Sequence, residues 1–283
     1  MGGTDMALIQ VNYMSKALMR TVPVNVILPV DKLTPPGVPE RENRPFKTLY
    51  LLHGVFGNYT DWLSGTNIQR WAEEKDLAVI MPSGDNMFYV DQRESHNYYG
   101  EFVGQELVEM TRRMFPLSQK REDTFIAGLS MGGYGAIRNG LKYHDTFGCI
   151  GGLSSAMFID GVEERNNDAP LFIYRRDYAE SIFGDLEKVK TSVMNPEWLV
   201  KKLTGERAEL PKVFLACGTE DELLEGSRKV RDYMRAAGAD VTYEEGPGGH
   251  EWDFWSRYIK KFIDWLPLEK DAVAGIGSGN VGL

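Results

Sequence analysis

The sequence predicts an α/β protein with a mainly parallel central sheet and helices on both faces. Three observations carry that prediction. Apolar runs of strand length alternate with amphipathic runs of helix length through most of the chain. The inner runs KTLYLLHG, LAVIMPSG, DTFIAGLS and PKVFLACG are almost continuously apolar, as strands covered on both faces must be. A chain of 283 residues, 42% hydrophobic and 26% charged, also has enough apolar material to bury one large core.

ALIQVNYMS and TVPVNVILPV read as an opening antiparallel pair, and DKLTPPGVPERENRP, with its prolines and charges, as an exposed loop. KTLYLLHG is the next strand, NIQRWAEEK a helix and LAVIMPSG a strand. EFVGQELVEMTRRMF reads as one amphipathic helix with Phe102, Leu107, Met110 and Met114 on its core side. DTFIAGLS, a helix from Met131 to about Lys142, and the strand FGCIGGLSS follow. Residues 156–205 break the alternation; rich in charge and aromatic rings, they read as helices inserted above the sheet like a cap. The strand PKVFLACG, a helix to about Ala237, the strand ADVTYEEG and the helix EWDFWSRYIKKFIDWL complete the series. Residues 1–267 are therefore expected to form a single domain, 156–205 its inserted cap or pocket segment, and the glycine-rich residues 268–283 a flexible tail.

A net charge of −9 with no clustered Lys/Arg stripe argues against a nucleic-acid partner. No apolar run approaches the length of a membrane span, and the N-terminus lacks the basic and apolar regions of an export signal, so a cytoplasmic protein is expected. Cys149 and Cys217 both sit in strand-like apolar runs and read as buried thiols rather than a disulfide. No His/Cys/Asp cluster has ligand spacing, and His250-Glu251 lacks the second histidine of H-E-x-x-H, so neither a metal nor another cofactor is expected. A homo-oligomer is compatible with the sequence, which does not specify one.

The stretch FIAGLSMGGYGA carries the chemistry. With 13 serines and 30 glycines, chance alone would produce G-x-S-x-G about 0.15 times in such a chain, so context must decide. Here a strand precedes Ser130 and a helix follows it, the strand-to-helix elbow that presents a nucleophile. Gly128 and Gly132 give the backbone clearance such a turn needs, and the helix start supplies the Met131 N–H to an oxyanion. A serine hydroxyl needs a base. Of the four histidines, His53 and His96 precede the serine, and His144 lies at the end of the elbow helix. His250, in GGHEWDFW after the last strand, occupies the loop where such a base belongs. The acid should follow the strand before it, where CGTEDE offers Glu220, Asp221 and Glu222; Asp221 is the choice and Glu220 the runner-up. The second oxyanion donor is expected from HGVFG after the first parallel strand, at Val55 N–H with Phe56 close behind, while His53 braces the loop without transferring protons.

LLHGVFGN, GLSMGGYGA, CGTED and GGHEWDFW, in this order, resemble the esterase D and tributyrin-esterase group of α/β-hydrolases, which includes S-formylglutathione hydrolases and bacterial feruloyl esterases and is related to mycolyltransferases. The resemblance spans roughly Val24 to Leu266. It implies an α/β-hydrolase fold, a Ser130, Asp221 and His250 triad, and an ester or thioester substrate passing through an acyl-enzyme. It also implies that 156–205 shapes the acyl pocket. The rings of Phe56, Trp62, Tyr98, Tyr99 and Trp252 lie near the motifs, and Phe56, Trp62 and Trp252 are candidate pocket residues. The expected function is a serine carboxylesterase acting on short-acyl or hydroxycinnamoyl (feruloyl-type) small-molecule esters. The alternatives are an S-formylglutathione hydrolase or other thioesterase or acyltransferase with the same triad, and a non-catalytic binding module on this scaffold.

Overall fold

The computed structural model describes residues 7–30 and 44–268; most of the predicted proline-rich loop and residues 269–283 of the predicted tail lie outside them. Its strands are β1 (Ala7–Ser15), β2 (Arg20–Leu28), β3 (Lys47–Leu52), β4 (Leu77–Pro82), β5 (Asp91–Gln92), β6 (Asn97–Tyr98), β7 (Thr124–Leu129), β8 (Cys149–Leu153), β9 (Lys212–Gly218) and β10 (Val241–Gly246). Eight of them form one sheet in the order β1-β2-β4-β3-β7-β8-β9-β10, and β5 pairs with β6 separately. Every pair from β4 to β10 is parallel; β2 runs antiparallel to both neighbours. The expected mainly parallel α/β sheet is thus present, with the predicted antiparallel opening at one edge.

The helices are α1 (Asp61–Gly65), α2 (Ile68–Glu74), α3 (Tyr99–Glu101), α4 (Leu107–Met114), α5 (Met131–Lys142), α6 (Arg176–Phe183), α7 (Leu186–Val189), α8 (Pro196–Gly205), α9 (Leu224–Ala236) and α10 (Trp252–Trp265). Two apolar clusters lie on opposite faces of the sheet. One joins Leu107, Tyr134, Ile137, Val200 and Met234 from α4, α5, α8 and α9, and the other joins Trp71, Ile259 and Phe262 from α2 and α10. β7 and β8, between them, are buried at every position. That double coverage explains why their sequences lack the alternation of half-buried β1.

The helix predicted from EFVGQELVEMTRRMF is interrupted. Phe102–Glu106 forms a π turn between α3 and α4, and the Leu107 N–H donates to the Phe102 carbonyl five residues back. The extra residue brings Phe102 and Leu107 into the core together and leaves Met114 43% exposed, so Met114 does not belong to the apolar side. The turn also frees the Glu106 carboxylate to accept from the Ser15 hydroxyl and from the N–H groups of Lys16 and Ala17, tying the β1–β2 connection to the helix layer.

Between β8 and β9, the chain makes 3-10 turns at Val162–Glu164 and Phe172–Tyr174 and then α6, α7 and α8. Asn195 caps α8 by accepting from the Glu197 N–H, with Pro196 at the first helical position. α8 packs on α5 and α9 and so completes the helix layer. Helix α5 anchors the segment, with Arg138 Nε donating to the Val193 carbonyl at 3.0 Å and Tyr134 Oη to the Met194 carbonyl at 2.6 Å.

Both cysteines are buried and free, and burial pushes each thiol up to about 11. Ellman's reagent at pH 8 should therefore find no reactive thiol in the native protein and both in urea; rapid native labelling would contradict this burial.

Candidate active site

Register brings the site together. Leu129 of β7 lies opposite Leu153 of β8, and Leu153 opposite Ala216 of β9, while Gly218 pairs with Gly246 of β10. The residues that follow these strand ends, Ser130, Asp221 and His250, therefore emerge at one edge of the sheet, outside the carboxyl ends of its parallel strands.

Ser130 has φ 52° and ψ −118°, an unfavourable backbone for a non-glycine residue. Its N–H donates to the Leu153 carbonyl at 2.9 Å, and its own carbonyl accepts from Tyr134 and Ala156 N–H groups, so both neighbours over-determine the turn. The flanking glycines are required by contact. A Cβ at Gly132 would run into the carbonyls of Leu52, the last residue of β3, and His53 just after it, and one at Gly128 into Gly132 itself.

Ser130 Oγ lies 3.0 Å from His250 Nε2, and His250 Nδ1 lies 3.0 and 3.3 Å from the two Asp221 oxygens. Asp221's side chain is fully buried, while His250's is 32% exposed. Burial acts to raise the Asp221 pKa. Bonds from His250, the Leu223 N–H and the Ser154 hydroxyl outweigh it and hold the carboxyl below its ordinary value. The loops carrying acid and base are laced together: Thr219 N–H donates to Gly246 O and Glu220 N–H to Gly248 O, in space that a side chain at Gly218 would fill. Glu220, the alternative acid, points elsewhere. Its carboxylate accepts from the Gly248 N–H at 2.6 Å and braces the histidine loop.

The HGVFG loop is pinned by His53. This imidazole accepts from Gly84 N–H at Nε2 (2.8 Å) and donates from Nδ1 to Gly54 O (2.7 Å), and burial lowers its pKa so that it stays neutral. Phe56 N–H is taken by Asn86 Oδ1 at 2.8 Å, whereas Val55 borders the cavity beside Ser130. Met131 N–H stands at the first position of α5, directly after the nucleophile.

The cavity in front of Ser130 measures about 320 Å³. Phe56 and Trp252, two of the three candidate pocket rings, are in its lining. Phe56 is 65% exposed at φ 68° and meets Phe172 edge-on. Trp62 does not reach the cavity; it is buried in the α2–α10 cluster, donates from Nε1 to Leu52 O, and touches Trp252 edge-on. Tyr98 and Tyr99 also lie elsewhere, Tyr98 against His96 and Tyr99 between Arg20 and Asp85. The lining also holds Ile173 and Tyr174 from the expected pocket segment and Glu222 from the acidic loop, while Trp255 and the Ser154 hydroxyl it donates to were not singled out from the sequence. Trp255 looked like one more core residue of an amphipathic helix; Ser154 carried a readable signal, a hydroxyl at the same strand-end position as Ser130. A larger cavity of about 710 Å³, lined by Arg121, Cys149 and Lys212 among others, lies at the opposite ends of the strands and lacks a nucleophile–base pair.

Residues 15–266 match the family model of the esterases. The chain belongs to this esterase family. Its class of reaction is the family's, hydrolysis of carboxylic esters. An acetyl esterase from Caldicellulosiruptor saccharolyticus is 45% identical over 271 residues, covering 94% of this chain and 100% of that protein. Among solved structures, the fluorophosphonate-binding serine hydrolase FphF of Staphylococcus aureus is 34% identical with a TM-score of 0.80, covering 92% of this chain and 98% of that one. The S-formylglutathione hydrolase FrmB of Staphylococcus aureus is 33% identical with a TM-score of 0.79, covering 93% and 99%. A ferulic acid esterase from Anaeromyces mucronatus shares the fold at 18% identity and a TM-score of 0.64, covering 91% of this chain and 89% of that one.

Asp221→Asn should lower kcat on 4-nitrophenyl acetate by a factor on the order of 10⁴, while Glu220→Gln lowers it less than about tenfold. Steady-state kinetics of the two purified variants check this, and the reverse ranking would move the acid to Glu220.

Proposed function

We propose that the chain is a serine carboxylesterase that cleaves short-acyl esters of small neutral alcohols through an acyl-enzyme at Ser130. The observation that carries the reading is the hydrogen-bonded series Ser130 Oγ, His250 Nε2, His250 Nδ1, Asp221, opening into a small, mainly apolar cavity. His250 takes the Ser130 proton as Oγ attacks the ester carbonyl, and the Met131 and Val55 amides hold the oxyanion. Asp221 fixes the imidazole tautomer and stabilises the imidazolium, which then protonates the departing alkoxide. Water, activated by the same imidazole, releases the acid.

Cavity size supports a short acyl group, since about 320 Å³ stands at the lower end of ligand pockets, roughly 300–1,000 Å³. The full-length similarity to an acetyl esterase supports the same choice. The thioesterase reading has FrmB in its favour. The charges lining the cavity, Asp61 and Glu222, are both acidic, which disfavours the two carboxylates of a glutathione thioester. Arg175 and Arg176, a basic pair in the inserted segment, are engaged by Ala169 O and Glu180. Residues 156–205 contribute Phe158, Leu171, Ile173 and Tyr174 to the lining, which supports their role as the specificity element. The acidic net charge supports a small-molecule rather than a nucleic-acid partner, and the two buried thiols suit a cytoplasmic setting. Among the described residues, no helix is long and apolar enough to cross a membrane.

With the leaving group held constant, kcat/KM for 4-nitrophenyl acetate should exceed that for 4-nitrophenyl ferulate by more than about tenfold, S-formylglutathione should be turned over more slowly than the acetate, and Ser130→Ala should reduce all three to background. A preference for the ferulate or the thioester would replace the proposed acyl or alcohol class, and an active Ser130→Ala would overturn the mechanism.

A further inference from the structure

The nucleophile strand has a counterpart one strand over. β8 ends at Leu153, and Ser154 follows it with φ 45°, fully buried, its N–H donating to Ala216 O on β9 at 2.8 Å. Its hydroxyl faces the Asp221 carboxylate and the Cys217 sulfur. On its other side it accepts from Trp255 Nε1–H at 3.1 Å. The Trp255 ring in turn meets the His250 imidazole edge-on, with centroids 4.9 Å apart and planes at 89°. A hydroxyl has one proton to give. With the indole N–H occupying one lone pair, that proton is left to point at the acceptors opposite, and the stronger of these is the carboxylate.

We propose that Ser154 is a positioning residue for the acid of the triad: the Trp255 indole orients the Ser154 hydroxyl, and the hydroxyl donates to Asp221 and fixes the carboxylate toward His250. Asp221 is then held by three donors from three elements, the Leu223 N–H ahead of α9, the Ser154 hydroxyl after β8, and His250 Nδ1–H before α10. A carboxylate at a loop has two free torsions, and each donor removes one alternative orientation. Trp255 serves both ends, since the same ring that donates to Ser154 limits where the imidazole can swing. The strained backbone at Ser154 fits this role: a left-handed serine in a buried turn costs about 1–3 kcal/mol and persists only where neighbours enforce it.

The inference rests on the triad reading above, and the experiment keeps the two apart. Ser154→Gly removes the hydroxyl and suits the positive φ, so it does not add backbone strain; Trp255→Phe keeps the aromatic ring and removes the N–H. On 4-nitrophenyl acetate, Ser154→Gly and Ser154→Ala should each lower kcat by about tenfold with KM within about twofold of wild type, the size expected for one hydrogen bond to a charged group. Trp255→Phe should lower kcat less, and the double variant Ser154→Ala/Trp255→Phe should match Ser154→Ala, because the two groups act in series. Thermal unfolding of Ser154→Gly should stay at or above the wild-type temperature. Wild-type kcat in folded Ser154→Gly, an effect confined to KM, or additive losses in the double variant would overturn the positioning role. A Ser130→Ala control that retained activity would instead overturn the triad reading itself.

Discussion

The approach of α5 to β3 constrains the rest of the molecule. Ser130 must hold a left-handed backbone at the point where β7 turns into α5, at a cost of about 1–3 kcal/mol. It can do so because α5 enters beneath the carbonyls of Leu52 and His53, with no side chain at Gly128 or Gly132 to keep it away. From that contact several features follow. The β7–β8 register must continue past the strand ends so that Leu153 O can receive the Ser130 N–H. α5 must be buried on nearly every side, which it achieves with Tyr134, Ile137 and fully buried Arg138. Its Tyr134 and Arg138 then fasten the segment that covers the cavity. One close backbone approach thereby sets the nucleophile, the helix dipole behind it and the roof above it.

Most of the fold was legible because its signals are local. Continuous apolar runs bounded by Gly, Pro and Ser gave β3, β4, β7 and β9, and the G-x-S-x-G elbow fixed where α5 begins. The π turn at Phe102–Glu106 was not legible: periodicity assumes a constant number of residues per turn, and a single inserted residue shifts every later side chain, which is why Met114 was misplaced. The site divides along the same line. Ser130, Asp221 and His250 follow strand ends, and chain order places strand ends well. Trp62 against Trp252 turns on which side of a short helix faces the sheet, a matter of packing that spacing near a motif does not encode. Tyr98 and Tyr99 stand apart from the cavity for the same reason, packed against His96 and between Arg20 and Asp85.

The electrostatic design is economical. His53, its pKa lowered by burial, serves as a strut for the loop that carries Val55. Asp221 is buried yet held ionised by hydrogen bonds, so its charge acts on His250 through a poorly screened path. Asp61 and Glu222 stand at the lining of the cavity, an acidic pair that would repel an anionic substrate.

The central claim, that the ester's acyl group is carried on Ser130, is open to direct measurement. Wild-type and Asp221→Asn proteins are mixed with 4-nitrophenyl acetate, quenched in acid during turnover, digested and mapped by mass spectrometry. The account predicts an acetyl group on the peptide containing Ser130, localised to that serine by fragmentation, in both proteins. An acetyl group on any other side chain, or active wild-type protein quenched repeatedly in turnover with no acylated peptide, would contradict it.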